Sequence, residues 1–209
     1  MTKLNDFTSG KPALSDSMLA FNANSEMKVS LNDLYWVMVP DSAGPHNSTY
    51  RGANLGSTLT DDQAAAIKAG TFYNLFVGDY WTIGGVTYRI AAFDYYLHAG
   101  DTECTDHHVV LVPDAPLYAA KMNETDTTVG AYVGSEMYTT GLSKAKTTIT
   151  AAFGSAHLLN HRNILQNACT NGVPTGTAWF DSTVELMTEQ NVYGNQVMSA
   201  LPSGGTVNP

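Results

Sequence analysis

The sequence predicts an α+β protein: a small β-rich N-terminal segment, then a body of antiparallel strands with three to four short helices. Three observations predict it. A Gly84-Gly85 pair separates two runs rich in β-branched and aromatic residues, the pattern of a two-residue hairpin. The run Val109-Val110-Leu111-Val112 closes at Pro113 and reads as a central strand. Thr60 stands three residues before Gln63 in front of an alanine-rich stretch, the signature of a capped helix start.

In chain order, Met18 to Phe21 and Met27 to Leu31 suggest two short strands around the polar turn at residues 22–25, with a helical turn opening toward Leu34. So little apolar area is not stable alone and needs a partner surface. Residues 35–40 follow as a strand closed by Pro40, and the Gly-, Ser-, Asn- and Pro-rich residues 41–57 as an exposed loop. The helix at residues 61–69 carries acidic residues in its first turn and Lys68 in its last, and Gly70 suits its C-terminal cap.

Trp81 and Ile83, then Tyr88 and Ile90, alternate with polar neighbours across the Gly-Gly turn, and Trp81, Ile83 and Ile90 belong to the core with Val109 to Val112. Asp94 to Leu97 continue the second strand or turn off it. Residues 115–121 read as one or two helical turns and 123–134 as loop. A short helix starts at Ser135. Ser143 caps a helix stopped by Gly154, Asn160 caps one over residues 161–169 ending at Asn171-Gly172, and Ser182 caps one over residues 183–190. No internal repeat is present. The organisation is residues 1–34 as a docking segment, 35–69 as a connector and 70–209 as the body.

Composition narrows the function. Only 14% of residues are charged, against roughly a quarter in typical domains. Thr, Ser, Asn, Gly and Tyr fill the deficit, as on an extracellular or particle surface. A net charge of −9 without a Lys/Arg cluster argues against nucleic-acid binding. No apolar run is long enough to span a membrane, and the N-terminus lacks a secretory core. Cys104 and Cys169 lack zinc-knuckle spacing; they form one disulfide or, the preferred reading, two free partly buried thiols.

No catalytic, cofactor-binding or metal-ligating set emerges. His107 and His108 are adjacent at a strand head and point to opposite faces, one half-buried and one exposed. His157 and His161 are separated by the cap at Asn160 and share no helix face. Asp79, Asp94, Asp101 and Glu103 offer paired carboxylates without a calcium-loop order. The eleven tyrosines are read first as core or interface packing. Tyr95, Tyr96, Tyr132 and Tyr138 are the candidates for surface recognition by ring stacking.

Two resemblances add to this. The pattern Pro12-Ala13-Leu14-Ser15-Asp16-Ser17-Met18-Leu19-Ala20-Phe21 with Met27-Lys28-Val29-Ser30-Leu31-Asn32-Asp33-Leu34 is similar to N-terminal segments that anchor bacteriophage tail-fibre and appendage proteins. It implies docking or oligomerisation through Leu14, Met18, Leu19, Phe21, Val29, Leu31 and Leu34. From Arg51 to Asn208 the chain resembles phage and prophage structural proteins of Gram-positive gut bacteria. The matching segments include Gly78-Asp79-Tyr80-Trp81-Thr82-Ile83, Tyr88-Arg89-Ile90-Ala91-Ala92-Phe93, His107-His108-Val109-Val110-Leu111-Val112-Pro113 and Asp181-Ser182-Thr183-Val184-Glu185-Leu186-Met187.

Such proteins have a body similar to the C-type-lectin-like fold and continue past the position of Pro209 into a Tyr-rich segment. The resemblance implies a virion protein, a head- or tail-fibre-like appendage for host attachment or particle decoration. Its implied partners are other virion proteins, two further copies of itself in a homotrimer, and bacterial surface glycans. Two alternatives stand beside it: a virion-associated glycan-degrading enzyme using carboxylates of residues 94–103, and a purely structural capsid or baseplate component.

Overall fold

The computed structural model describes residues 17–21, 26–30, 34, 42–188 and 191–192. The fold is α+β, with helices and antiparallel strands throughout. Strands β1 (Ser17–Phe21) and β2 (Glu26–Ser30) form an antiparallel hairpin in the register Ser17 opposite Ser30 and Phe21 opposite Glu26. Met18, Leu19 and Phe21 lie on β1, Val29 on β2, and Leu34 in a helical conformation. Leu14, Leu31 and the strand expected at residues 35–40 lie outside the described residues.

The loop expected at residues 41–57 instead contains a helix, α1 (Ala43–Ser48). Pro45 is tolerated there because the first-turn amides have no intrahelical acceptor. The helix is fixed by His46, which is fully buried. Its ring packs 5.7, 5.1 and 5.5 Å from Phe72, Phe76 and Phe93, and its Nδ1 meets the Leu75 carbonyl at 2.5 Å. A polar composition thus concealed a core-facing turn.

Helix α2 (Asp61–Lys68) has the expected capping box: Gln63 N–H donates to Thr60 Oγ1, and Thr60 N–H to Gln63 Oε1. The same Gln63 Oε1 accepts the Trp81 indole N–H at 3.0 Å, so the cap also locks the helix onto the sheet. Gly70 ends it at φ +71°, where a Cβ would come within 2.6 Å of the His107 ring.

The main sheet has the order β3 (Tyr80–Ile83), β4 (Val86–Phe93), β5 (Val109–Pro113). Gly84 and Gly85 take φ +59° and +83°, a type I′ geometry that suits the right-handed twist of a hairpin. β4 is the central strand. β5 was expected to be central but stands at the edge, half-buried along its whole length. Val109 and Leu111 of its apolar run pack against the core. The chain turns off β4 at Asp94, with φ +54°.

Phe72, Leu75, Trp81, Tyr88, Ile90, Phe93 and Phe153 form the core. Phe153 meets the rings of Trp81 and Tyr88 edge-on at 6.1 and 5.0 Å. Ala43, Leu55, Leu59 and Ile67 pack against the same cluster, so residues 42–69 share the body's core. Phe153 ends helix α3 (Leu142–Phe153), which follows a π-turn at Met137–Gly141 and stops at Gly154, φ +82°. Ser143 does not cap this helix; its hydroxyl donates back to the Thr140 carbonyl at 2.6 Å. The helical turns expected at residues 115–121 are absent, and that stretch is irregular.

The largest departure lies after residue 160. The expected helix at residues 161–169 is strand β6 (His161–Thr170), paired with β7 (Val173–Ser182) in a long hairpin. Asn171-Gly172 is its two-residue turn, with φ +51° and +77°, not a helix end. The reason is a period of two: His161, Asn163 and Leu165 are buried and their neighbours less so. Residues 183–188 are irregular as well, because the Ser182 hydroxyl that was expected to cap a helix donates to Glu185.

Candidate functional site

The new hairpin brings together a buried polar cluster. The Glu185 carboxylate sits under the segment leaving β7 and accepts hydrogen bonds from the Tyr96 hydroxyl at 3.1 Å, Asn163 Nδ2 at 2.5 Å and the Ser182 hydroxyl at 2.9 Å. His161 stacks on Tyr96, centroids 3.9 Å apart, and places Nε2 3.8 Å from Glu185 Oε1 without a hydrogen bond to it. Burial pushes the Glu185 carboxyl up, but His161, Ser182 and Tyr96 outweigh it and leave the group below its ordinary range. Burial and the Glu185 charge both push the Tyr96 phenol well up, so it remains a donor.

A second set adjoins it. Asp94, turned inward, accepts the His108 backbone N–H at 3.0 Å and lies 2.8 Å from His107 Nδ1. His108 is buried and its Nε2 accepts the Tyr96 backbone N–H at 3.0 Å. That bond makes Nε2 the unprotonated nitrogen and Nδ1 the donor to the Asp106 carbonyl at 2.9 Å. Burial lowers the His108 pKa accordingly. His107 is half-buried and His108 buried, yet both converge on Asp94: they precede β5, so strand alternation does not apply to them.

The carboxylates of this region are engaged. Asp101 pairs with Arg162 through two bonds, at 2.8 and 3.1 Å, and Glu103 pairs with His98. Arg162 also reaches Asp181 and the Trp179 carbonyl, binding the 98–104 loop to the β6–β7 hairpin. Tyr96, His107, His108, His161 and Glu185 of these clusters line an open groove of about 1490 Å³ whose walls include Ala64, Leu111, Ile149 and Met187. Among the described residues no group of His, Cys, Asp and Glu side chains is placed to hold a metal ion. No described helix is long and apolar enough to cross a membrane. Cys104 is buried, Cys169 half-buried, and both are free thiols.

The four recognition tyrosines separate. Tyr96 is 8% exposed and belongs to the interior, a correction that follows from its stacking on His161 and its bond to Glu185. Tyr95, Tyr132 and Tyr138 are half-buried. Tyr132 and Tyr138 meet edge-on at 5.2 Å, and the Tyr132 hydroxyl accepts the Leu186 N–H. Tyr95 accepts from Asn191 Nδ2 at 3.2 Å. Among the described residues the most exposed tyrosine is Tyr50, which the sequence did not single out. Glu185, His161, Asn163 and Ser182 were missed as a set because a helix was expected there. The Asn-Gly turn was the signal that could have found them.

The comparisons add no relative: no protein family, no curated protein and no solved structure matches the chain.

Proposed function

We propose that this chain is a bacteriophage structural protein, a head- or tail-fibre-like appendage that attaches the particle to its host or decorates it. The N-terminal segment joins it to other virion proteins and to two further copies of itself, and a lectin-like body meets bacterial surface glycans by many weak contacts multiplied by avidity. The observation that carries the reading is the β1–β2 hairpin. It has two five-residue strands that pair only with each other among the described residues. A two-stranded ribbon is marginal in water without a surface to cover it. Leu14, Met18, Leu19, Phe21, Val29, Leu31 and Leu34 supply the apolar side chains for such a contact.

The test is deletion of residues 1–34. The shortened chain should keep its circular dichroism and melting transition, sediment as a monomer where the full chain is a trimer, and fail to enter particles. Normal incorporation of the deletion would overturn the docking role. Failure of the intact body to bind any host-envelope glycan would leave a purely structural component instead.

A further inference from the structure

Tyr50 is 71% exposed, yet it is held in place. Its backbone bridges Val77, and the amide that follows, Arg51 N–H, donates to the Val77 carbonyl at 3.0 Å. Its ring lies against the backbone of two glycines. A Cβ at Gly78 would come 2.6 Å from the ring's Cδ2, and one at Gly52 3.5 Å from its Cε1. Any side chain at position 78 would displace the ring. A ring fixed in this way gives up little conformational freedom when a ligand stacks on it.

Gly78 also joins the ring to a polar pair. Arg89 Nη1 donates to the Gly78 carbonyl at 2.5 Å. The same guanidinium grips Asp114 at two points, Nε to Oδ1 at 2.8 Å and Nη2 to Oδ2 at 2.6 Å. It lies over the Tyr80 ring, 4.9 Å from its centre, and is thereby immobilised. Both side chains of the pair remain partly exposed, at 31% and 41%. Three of the five guanidinium N–H groups are engaged and each carboxylate oxygen accepts one bond. The pair therefore holds spare donors and spare acceptors side by side. Tyr50, Gly78, Arg89 and Asp114 line one open pocket of about 220 Å³, whose apolar lining includes Val77 and Val112.

This combination selects by chemistry. Arg89 and Asp114 cancel each other's charge, so an anion meets the carboxylate and a cation meets the guanidinium. A wholly apolar ligand would cover the spare donors and acceptors without replacing their water. A neutral sugar ring suits both halves: one face of a pyranose presents C–H groups to an aromatic ring, and its vicinal hydroxyls each donate and accept. The volume lies below the ~300 Å³ at which drug-sized sites begin, which suits a single sugar ring.

We propose that Tyr50, Arg89 and Asp114 form a binding site for one neutral pyranose unit of a glycan: the sugar stacks on Tyr50 and its vicinal hydroxyls bridge the Arg89–Asp114 pair. The site gives a place to the glycan contact proposed above and rests on that reading for its role on a particle.

The test titrates the full chain with the methyl pyranosides of glucose, galactose, mannose and N-acetylglucosamine and follows the Gly52 and Gly78 amide resonances by NMR. At least one sugar should shift both saturably. Tyr50→Ala should weaken that binding by about tenfold or more, and Tyr50→Phe, which keeps the ring, by less than about threefold. Asp114→Asn, which keeps the ring and breaks the two-point grip, should weaken it severalfold. No saturable shift from any of the sugars, or full affinity in Tyr50→Ala, would overturn the site. Equal losses in Tyr50→Ala and Tyr50→Phe would overturn stacking as its basis, and full affinity in Asp114→Asn would overturn the role of the pair. The site and the wider reading fail separately. Envelope glycan bound equally by the full chain and by Tyr50→Ala sinks the site alone. Sugar bound at Tyr50 without attachment to a host envelope upholds the site and sinks the attachment role.

Discussion

The buried carboxylate of Asp79 receives the Arg51 guanidinium in a two-point grip, Nε to Oδ1 at 3.0 Å and Nη2 to Oδ2 at 2.6 Å. The backbone N–H groups of Ala53 and Phe76 complete its shell at 2.8 Å each. The Arg51 guanidinium lies over the Phe76 ring, 4.8 Å from its centre. One carboxylate thus ties the segment after α1 to the turn before β3. Replacing Asp79 by Ala removes the acceptor shared by Arg51 and the Ala53 and Phe76 amides, and leaves the guanidinium its bonds to Asn74. The expected loss is about 3 kcal/mol, the scale for breaking one side of a buried pair. A urea midpoint that falls by the equivalent of less than ~1 kcal/mol would show the contact to be dispensable.

Glu185 gives the acid dependence a defined sign. Its folded pKa lies below its ordinary value of 4.5. Its contribution is therefore complete above about pH 4.5 and is lost as the pH falls through the lower, folded value. Asp101 and Asp114, lowered by Arg162 and Arg89, act in the same direction. The informative quantity is the difference between the wild type and Glu185→Gln. That difference should be constant near neutrality and shrink below about pH 4.5. A difference that grows on acidification would reverse the assignment.

Tyr96→Phe keeps the ring against His161 and removes only the hydroxyl that donates to Glu185. A hydrogen bond to a charged group is worth about 1.5 to 3 kcal/mol, so melting should register a loss near the lower figure. The acid limb of stability should also move to higher pH, because one donor that holds Glu185 ionised is gone. An unchanged limb would show that Ser182, Asn163 and His161 suffice.

The thiols should separate by reactivity. Burial raises the Cys104 pKa, and its Sγ donates to the Asp106 carbonyl at 3.7 Å. A disulfide reagent under native conditions should titrate Cys169 and reach Cys104 only on unfolding. Simultaneous reaction of both, followed by mass spectrometry, would contradict the buried placement.

Gly172 has φ +77° and open space around the position of a Cβ. Gly172→Ala therefore tests conformation alone and should cost about 1 kcal/mol. A neutral result in denaturant titration would mean the turn relaxes to another geometry.

The sequence by itself determined the elements whose signals are local. The capping box at Thr60 and Gln63, the Gly84-Gly85 turn, and the stops at Gly70 and Gly154 all depend on the conformations of a few adjacent residues. It also placed Trp81 and Ile90 in the core, since period-two alternation is written along the strand. Tertiary structure decided what depends on neighbours. His161 to Cys169 allowed a helix or a strand, and pairing with β7 settled it, with Asn171-Gly172 acting as a turn instead of a cap. The apolar run of β5 did not reveal whether one or two strands flank it, because an edge at a groove and a sheet centre ask for the same side chains. Tyr96 passed from surface to interior for the same reason. Exposure is set by what packs from elsewhere in the chain, here His161 and Glu185.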